Sequence, residues 1–243
     1  MKTDALQQPA GELRPDVAPG SARRTRRRLW GTLTLISLPI LLGMAFFYAP
    51  EDANQGAAQR IFYIHVPSAW IGFLAFAVVF VASIAFLATG RRKWDDVASS
   101  SAEVGVIFTT AVLITGPLWG RPVWGVYWTW DPRLTSFLML WLIYLSYLVL
   151  RGYVPEPIRR AKFSAVLGIV GFLDVPIVYL SARWWRSEHP TQFVVESGDL
   201  PMQMLVTLLV GVATFTFFYL YLLAVRVHAG RLRARVEEAE VSR

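Results

Sequence analysis

The sequence predicts an all-α membrane protein, a polytopic bundle of six transmembrane helices with both termini in the cytoplasm. Three observations carry this prediction. Of the 243 residues 55% are apolar and only 17% charged, and several apolar runs reach the roughly 20 residues that a bilayer core requires. The basic residues are distributed one-sidedly. Nineteen of the 24 Lys and Arg fall in the tails and in two loops that six spans place on one side, and five fall in the three opposite loops. The positive-inside rule makes the first side cytoplasmic. Finally, a Trp-rich stretch with regular Gly and Pro separates the third apolar run from the fourth and reads as an outer loop between helices 3 and 4.

In chain order, residues 1–28 are polar, rich in Pro and Gly, and close on Arg23, Arg24, Arg26, Arg27 and Arg28. They read as a disordered basic cytoplasmic tail. The run from Leu29 to Tyr48 exceeds a signal-peptide h-region and reads as span one. An outer loop, 49–66, ends in Tyr63-Ile64-His65-Val66 before Pro67 and span two, Ser68 to Leu87. A basic turn at Arg91–Lys93 precedes span three, Ser99 to Ile114, and span four runs from Leu134 to Leu150. Arg151, Arg159, Arg160 and Lys162 mark the next basic loop. Span five is Phe163 to Ala182, with Asp174 two residues before Pro176, and span six is Met202 to Val225. The six-helix domain is therefore expected over 29–228, with a cytoplasmic tail over 229–243. The net charge of +7 needs no nucleic acid to explain it, because the basic residues flank apolar runs. With no Cys, the chain has no disulfide, Fe–S cluster or thioether haem attachment.

Residues 116–136 organise the rest. Trp119, Trp124, Trp128 and Trp130 fall within twelve positions, separated by Gly and Pro. Pro117, Pro122 and Pro132 argue against one continuous helix there. A loop with a short helical piece over Val123–Asp131 would stack Trp124 on Trp128 at i, i+4 and set Asp131 at i+3 from Trp128. An interfacial aromatic belt accounts for one or two Trp per loop but not for four with Gly and Pro between them. His65 and His189 share the outer face with this shelf and are flanked by aromatics, whereas His228 lies in the basic tail. Zinc needs compact His, Cys or carboxylate sets and has no use for indoles. A haem offers a broad apolar face to Trp, two axial positions to imidazoles and two propionates to guanidiniums. Arg60, Arg121, Arg133, Arg183 and Arg186 are the outer-face candidates for those propionates.

The segment Trp119-Gly120-Arg121-Pro122-Val123-Trp124-Gly125-Val126-Tyr127-Trp128-Thr129-Trp130-Asp131-Pro132-Arg133-Leu134-Thr135-Ser136 resembles the "WWD" signature of the tryptophan-rich haem-handling family. With Tyr63-Ile64-His65-Val66-Pro67 and six spans, it is most similar to the cytochrome c maturation protein C branch, also called haem exporter protein C. The likeness runs over residues 30–228. It implies non-covalent, transient binding of haem b at the outer face of the bacterial inner membrane, with His65 and His189 as axial ligands. It implies Trp119, Trp124, Trp128, Trp130 and Asp131 as the haem platform. The implied partners are the periplasmic haem chaperone (cytochrome c maturation protein E), an ABC-type ATPase with its membrane subunit, and a small single-span subunit. Glu188-His189-Pro190-Thr191 departs from the family, which often has Gln after the His, and Pro190 restricts the backbone of His189.

No P-loop or G-x-G-x-x-G occurs, so ATP hydrolysis would belong to partners and the chain would act as a delivery scaffold rather than an enzyme. Two other readings stay open. A membrane di-His haem protein could exchange electrons with quinone. A transporter subunit could move haem or another solute, but that needs a polar route, and only Asp174 and Glu103 interrupt the apolar spans. Glu103 is expected to face headgroups. Asp174 is either a functional acid or part of a kink at Pro176.

Overall fold

A computed structural model describes residues 20–184 and 200–241. Among these the backbone is helical nearly throughout, with no named strand. Helix α1 spans Gly20–Gly43 and runs into a π-helical segment, Met44–Tyr48. A 3-10 segment, Ala57–Ile61, leads without a break into α2, Phe62–Thr89. Helices α3 (Arg92–Trp124), α4 (Pro132–Tyr153), α5 (Pro157–Phe172), α6 (Asp174–Trp184) and α7 (Met202–Val241) follow. Six stretches are long and apolar enough to cross a membrane: Arg23–Tyr48, Ala57–Thr89, Arg92–Trp124, Pro132–Tyr153, Pro157–Ser181 and Met202–Val236. Each coincides with one expected span.

Several helices overrun those expectations. Helix α1 starts at Gly20, inside the segment expected to be a disordered tail up to residue 28, and α7 stays helical to Val241, beyond the domain end expected at 228. The extension Arg231–Val241 is rich in Arg, Ala and Glu, all strong helix formers. Helix α2 begins before Pro67, so His65 is helical rather than part of a loop. The fifth span is two helices, because Pro176 has no N–H to give to the carbonyl four residues back. The chain breaks at Leu173, whose N–H turns to Val170 O at 3.1 Å, and restarts at Asp174. Pro176 then lies in the first turn of α6, where an N–H has no intrahelical acceptor anyway.

Local chemistry explains the ends. Gly90 (φ 64°) and Gly125 (φ 78°) adopt the left-handed conformation that closes α2 and α3. Their N–H groups reach Phe86 O and Arg121 O at 2.8 and 3.0 Å. Asp131 and Glu156 cap α4 and α5, each followed by a Pro at the first helical position. The N–H groups of Arg159 and Ile158, donated to the Glu156 carboxylate, hold that exposed acid below the usual carboxylate range.

Helices α2 and α3 pack most closely, through small residues that let backbones approach. A Cβ at Gly105 would lie 2.6 Å from the Phe76 ring, and one at Gly72 would lie 2.7 Å from Thr109. Ser101 Oγ donates to Ala75 O at 2.8 Å across this interface and bonds to Tyr219 Oη of α7 at 2.9 Å. Helix α1 lies along α7, with Trp30 stacked on Phe217. Two indole N–H groups bridge helices: Trp141 to Thr110 at 2.8 Å and Trp70 to Thr216 at 3.1 Å.

Ion pairs link helices at the end opposite the tryptophans. Arg151 makes a bidentate contact to Asp95 at 2.6 and 3.0 Å, binding α4 to α3. Asp96 meets Arg231 at 3.5 Å, and Glu103 pairs with Arg226, both binding α3 to α7. Glu103 thus has a protein partner rather than only headgroups before it.

Candidate functional site

At the tryptophan end the helices leave a cavity of about 800 Å³, within the size range of small-molecule and cofactor sites. Helices α2, α3, α4, α6 and α7 all contribute to its wall. Its polar side groups include Asp52, Gln55 and Gln59 from the segment before α2. Along α2 the lining runs from Phe62 to Phe73, eleven helical steps and therefore about 16 Å of depth. Most of the wall is apolar. The chemistry-bearing groups in it are His65, Trp119, Trp128, Arg133 and Tyr179.

His65 sits in the first turns of α2 and meets α3 side-on. Its Nδ1 lies 2.9 Å from Thr115 Oγ1, and its ring stands edge-on to Trp119, with centroids 5.6 Å apart at 62°. Trp119 is buried and fixed by two contacts. Its Nε1–H donates to Gln55 Oε1 at 2.9 Å, and Phe62 meets its ring at 5.9 Å. One wall of the cavity is therefore an aromatic group, Phe62, His65 and Trp119, built from α2 and α3.

The Trp-rich segment is organised differently from the sequence expectation. Helix α3 continues through Pro117 and Pro122 to Trp124, and 125–130 is non-helical. The expected helical piece over Val123–Asp131, and with it the Trp124–Trp128 stack, does not form. The reason is Gly125, whose left-handed backbone ends α3 one residue after Trp124. Trp124 instead faces Trp119 at 6.2 Å, and Trp128 meets Trp130 edge-on at 5.7 Å. Gly120 permits the chain to fold back on the helix, since a Cβ there would lie 3.2 Å from the Trp124 ring and 3.3 Å from Val126 O. Trp119 and Trp128 line the cavity, while Trp124 borders a smaller recess beside it. Trp130 is 75% exposed and lines neither.

Asp131 anchors this loop through backbone N–H groups and the Thr129 hydroxyl. Its Oδ1 accepts from the N–H groups of Arg133 and Leu134 at 2.9 and 3.1 Å, and its Oδ2 accepts from Thr129 Oγ1 at 2.8 Å. The cap sets the start of α4 and so places Arg133 at the cavity. Trp128 Nε1 is buried and has no hydrogen-bond partner among the described residues. A donor N–H buried in a cavity wall costs about 1–3 kcal/mol when unmet, so this position suits an acceptor supplied by a ligand.

The arginines separate clearly. Arg133 lines the cavity. Arg60 lies outside it, bound to Glu51 at 3.2 Å and over the Phe46 ring. Arg121 donates to Gly125 O and lies over Tyr127. Arg183 is on α6, but its side chain is not among those described, and His189 and Arg186 lie outside the described residues. No group of three or more His, Asp or Glu able to hold a bare metal ion occurs among the described residues.

Of the residues singled out in the sequence, His65, Trp119, Trp128 and Arg133 line the cavity, and Asp131 caps α4 beside it. Sequence reasoning missed Gln55, Thr115 and Tyr179, because a polar residue in a loop or an apolar helix carries no signal of its own. Asp174 starts α6, with Oδ2 buried and unpartnered among the described residues, and does not line the cavity. Asp174→Asn is therefore expected to leave ligand binding at this site unchanged. Loss of ligand binding in the purified variant at normal protein yield would contradict this.

Comparison with known proteins is consistent across most of the chain. The family model described as "CcmC: Heme exporter protein C" matches residues 15–242. A "Heme exporter protein C" of Bradyrhizobium diazoefficiens is 40% identical over 203 residues, covering 81% of this chain and 77% of the relative. One of Haemophilus influenzae is 32% identical over 197 residues, 80% of this chain and 79% of the relative. A "Putative cytochrome c biosynthesis ccmC-like mitochondrial protein" of Marchantia polymorpha is 33% identical over 175 residues, 72% and 74% of the two chains. On this coverage, and with six candidate spans, the chain belongs to the heme exporter protein C family.

Proposed function

We propose that this protein holds haem in the cavity at its tryptophan end and hands it to the periplasmic haem chaperone during cytochrome c maturation. The observation that carries the reading is the composition of that cavity. An imidazole, an aromatic wall, a guanidinium and an unmet indole N–H border one apolar space. Those groups fit haem part by part. His65 supplies an iron ligand, with His189 as the second. Phe62 and Trp119 supply apolar contact, and Arg133 with Trp128 Nε1–H supplies charge and a hydrogen bond for a propionate. The names of the relatives support the same cargo and process. Haem as cargo brings the iron's two axial positions. Everything else is positioning by this chain.

In this reading the cavity faces the periplasm from the bacterial inner membrane, an orientation supported by the Lys and Arg asymmetry. The cargo in this reading is haem b, held non-covalently; with no Cys the chain forms no thioether bond to it. Trp130 and Tyr127 are largely exposed at the rim and offer the chaperone an aromatic docking surface next to the cargo. An ABC-type ATPase, its membrane subunit and a single-span subunit supply the energy for release.

The delivery step is tested by co-expressing this chain with the tagged chaperone and measuring covalently bound haem on the chaperone. Loading that depends on this chain and collapses with His65→Ala is the expected result. Equal loading without this chain would overturn the proposal.

A further inference from the structure

We propose that Thr115 positions His65, fixing its tautomer so that Nε2 carries the lone pair that ligates iron. The inference rests on the haem reading above and adds a residue of α3 to a ligand borne by α2.

The argument is one of proton counting. Thr115 Oγ1 is 2.8 Å from the carbonyl of Ala111, one turn earlier on α3, and 2.9 Å from His65 Nδ1. A hydroxyl has one proton to give and two lone pairs to receive with. The carbonyl can only accept, so the Thr115 proton goes to Ala111 O. The Thr115 oxygen is then the acceptor toward His65, and Nδ1 must carry the hydrogen. In a neutral imidazole that leaves the lone pair on Nε2.

Geometry holds the ring in that state. Thr115 and Trp119 are four residues apart and so share one face of α3. Thr115 grips Nδ1, and Trp119 meets the ring at 5.6 Å. Gly116 lies between them, and a Cβ there would come within 3.3 Å of His65 Cε1. A side chain at 116 would crowd the imidazole beside its Thr115 bond. A Thr bonded back to its own helix is common in apolar helices and by itself means nothing. What distinguishes Thr115 is that its remaining acceptor capacity is used by a histidine fifty residues away in sequence.

The bond also tunes the ligand. An Nδ1–H donated to an oxygen increases electron density at Nε2 and strengthens its bond to metal, and loss of such a partner costs about 10–100-fold in metal affinity. Thr115→Val keeps the shape and removes the acceptor. Thr115→Ser keeps the acceptor.

The test uses the full-length protein purified in detergent as wild type, Thr115→Val, Thr115→Ser and His65→Ala. Haemin titration, oxidised and reduced spectra and the haem midpoint potential are the readouts. Thr115→Val is expected to weaken haem binding about tenfold or more and to raise the midpoint potential, because a weaker donor stabilises ferric iron less. Thr115→Ser is expected to retain wild-type affinity and potential. If Thr115→Val folds poorly, Thr115→Ala removes the same acceptor at smaller volume and should show the same losses. Wild-type affinity and potential in Thr115→Val, alongside loss in His65→Ala, would overturn the role of Thr115 and leave the haem site standing. Equal losses in the Val and Ser variants would also overturn it, since packing rather than the hydroxyl would then matter. Unchanged binding in His65→Ala would instead sink the axial assignment itself.

Discussion

His65→Ala is expected to lower haem retained per protein by at least about tenfold, a floor set by what loss of a mere supporting group costs. Of the two histidines proposed as axial ligands, His65 lies among the described residues, with Thr115 at Nδ1 and the Trp119 edge beside the ring, and it lines the cavity. Removal takes away the iron bond and leaves a hole that apolar neighbours do not fill chemically. The fold should persist, because Trp119 keeps its own bond to Gln55 and the α2–α3 contact is made deeper by Gly72, Ala75 and Gly105. Haem per protein, measured after detergent purification with the elution profile as a folding control, decides the matter. Wild-type haem content with an unaltered spectrum would contradict the assignment.

Arg151→Met is expected to destabilise the bundle by about 3–5 kcal/mol, the usual cost of stranding one member of a buried pair. The Arg151 and Asp95 side chains are only 17% and 13% exposed, and both oxygens of Asp95 are engaged. Without the guanidinium, both oxygens of Asp95 lose their partner, and the buried Tyr147 ring loses the cation that lies over it. Asp95→Asn in the same chain should recover much of the loss, since it removes the stranded charge. Unfolding in denaturant, followed by tryptophan fluorescence in detergent, measures both. A midpoint for Arg151→Met equal to wild type would show the pair to be energetically idle.

The number of spans was legible because a bilayer imposes a length and a composition that local sequence must meet. How far each helix extends was not. The three prolines near the tryptophans suggested a loop, yet α3 passes through Pro117 and Pro122. A proline forfeits one hydrogen bond, and packing of Gly116, Trp119 and Gly120, all buried, against α2 and the loop outweighs that loss. Gly125 was the real stop signal, through its backbone conformation, and it separates Trp124 from Trp128. His65, Trp119, Trp128 and Arg133 stood out by residue type and meet at one cavity. The contributions of α6 and α7 to that cavity were not legible, because hydropathy does not tell which apolar face meets lipid and which faces a void. Asp95 and Asp96 at the opposite end were overlooked, and Glu103 was assigned to headgroups, for a related reason. A tally of Lys and Arg sets orientation, but Asp95, Asp96 and Glu103 act through specific partners on other helices.

The most direct measurement is the oxidised and reduced absorbance spectrum of the detergent-purified protein, alone and co-expressed with the periplasmic chaperone. A six-coordinate, low-spin haem spectrum that changes in both His65→Ala and His189→Ala is the result this account predicts. A protein free of haem under both conditions would contradict it, and would leave the tryptophan end as a docking surface without cargo.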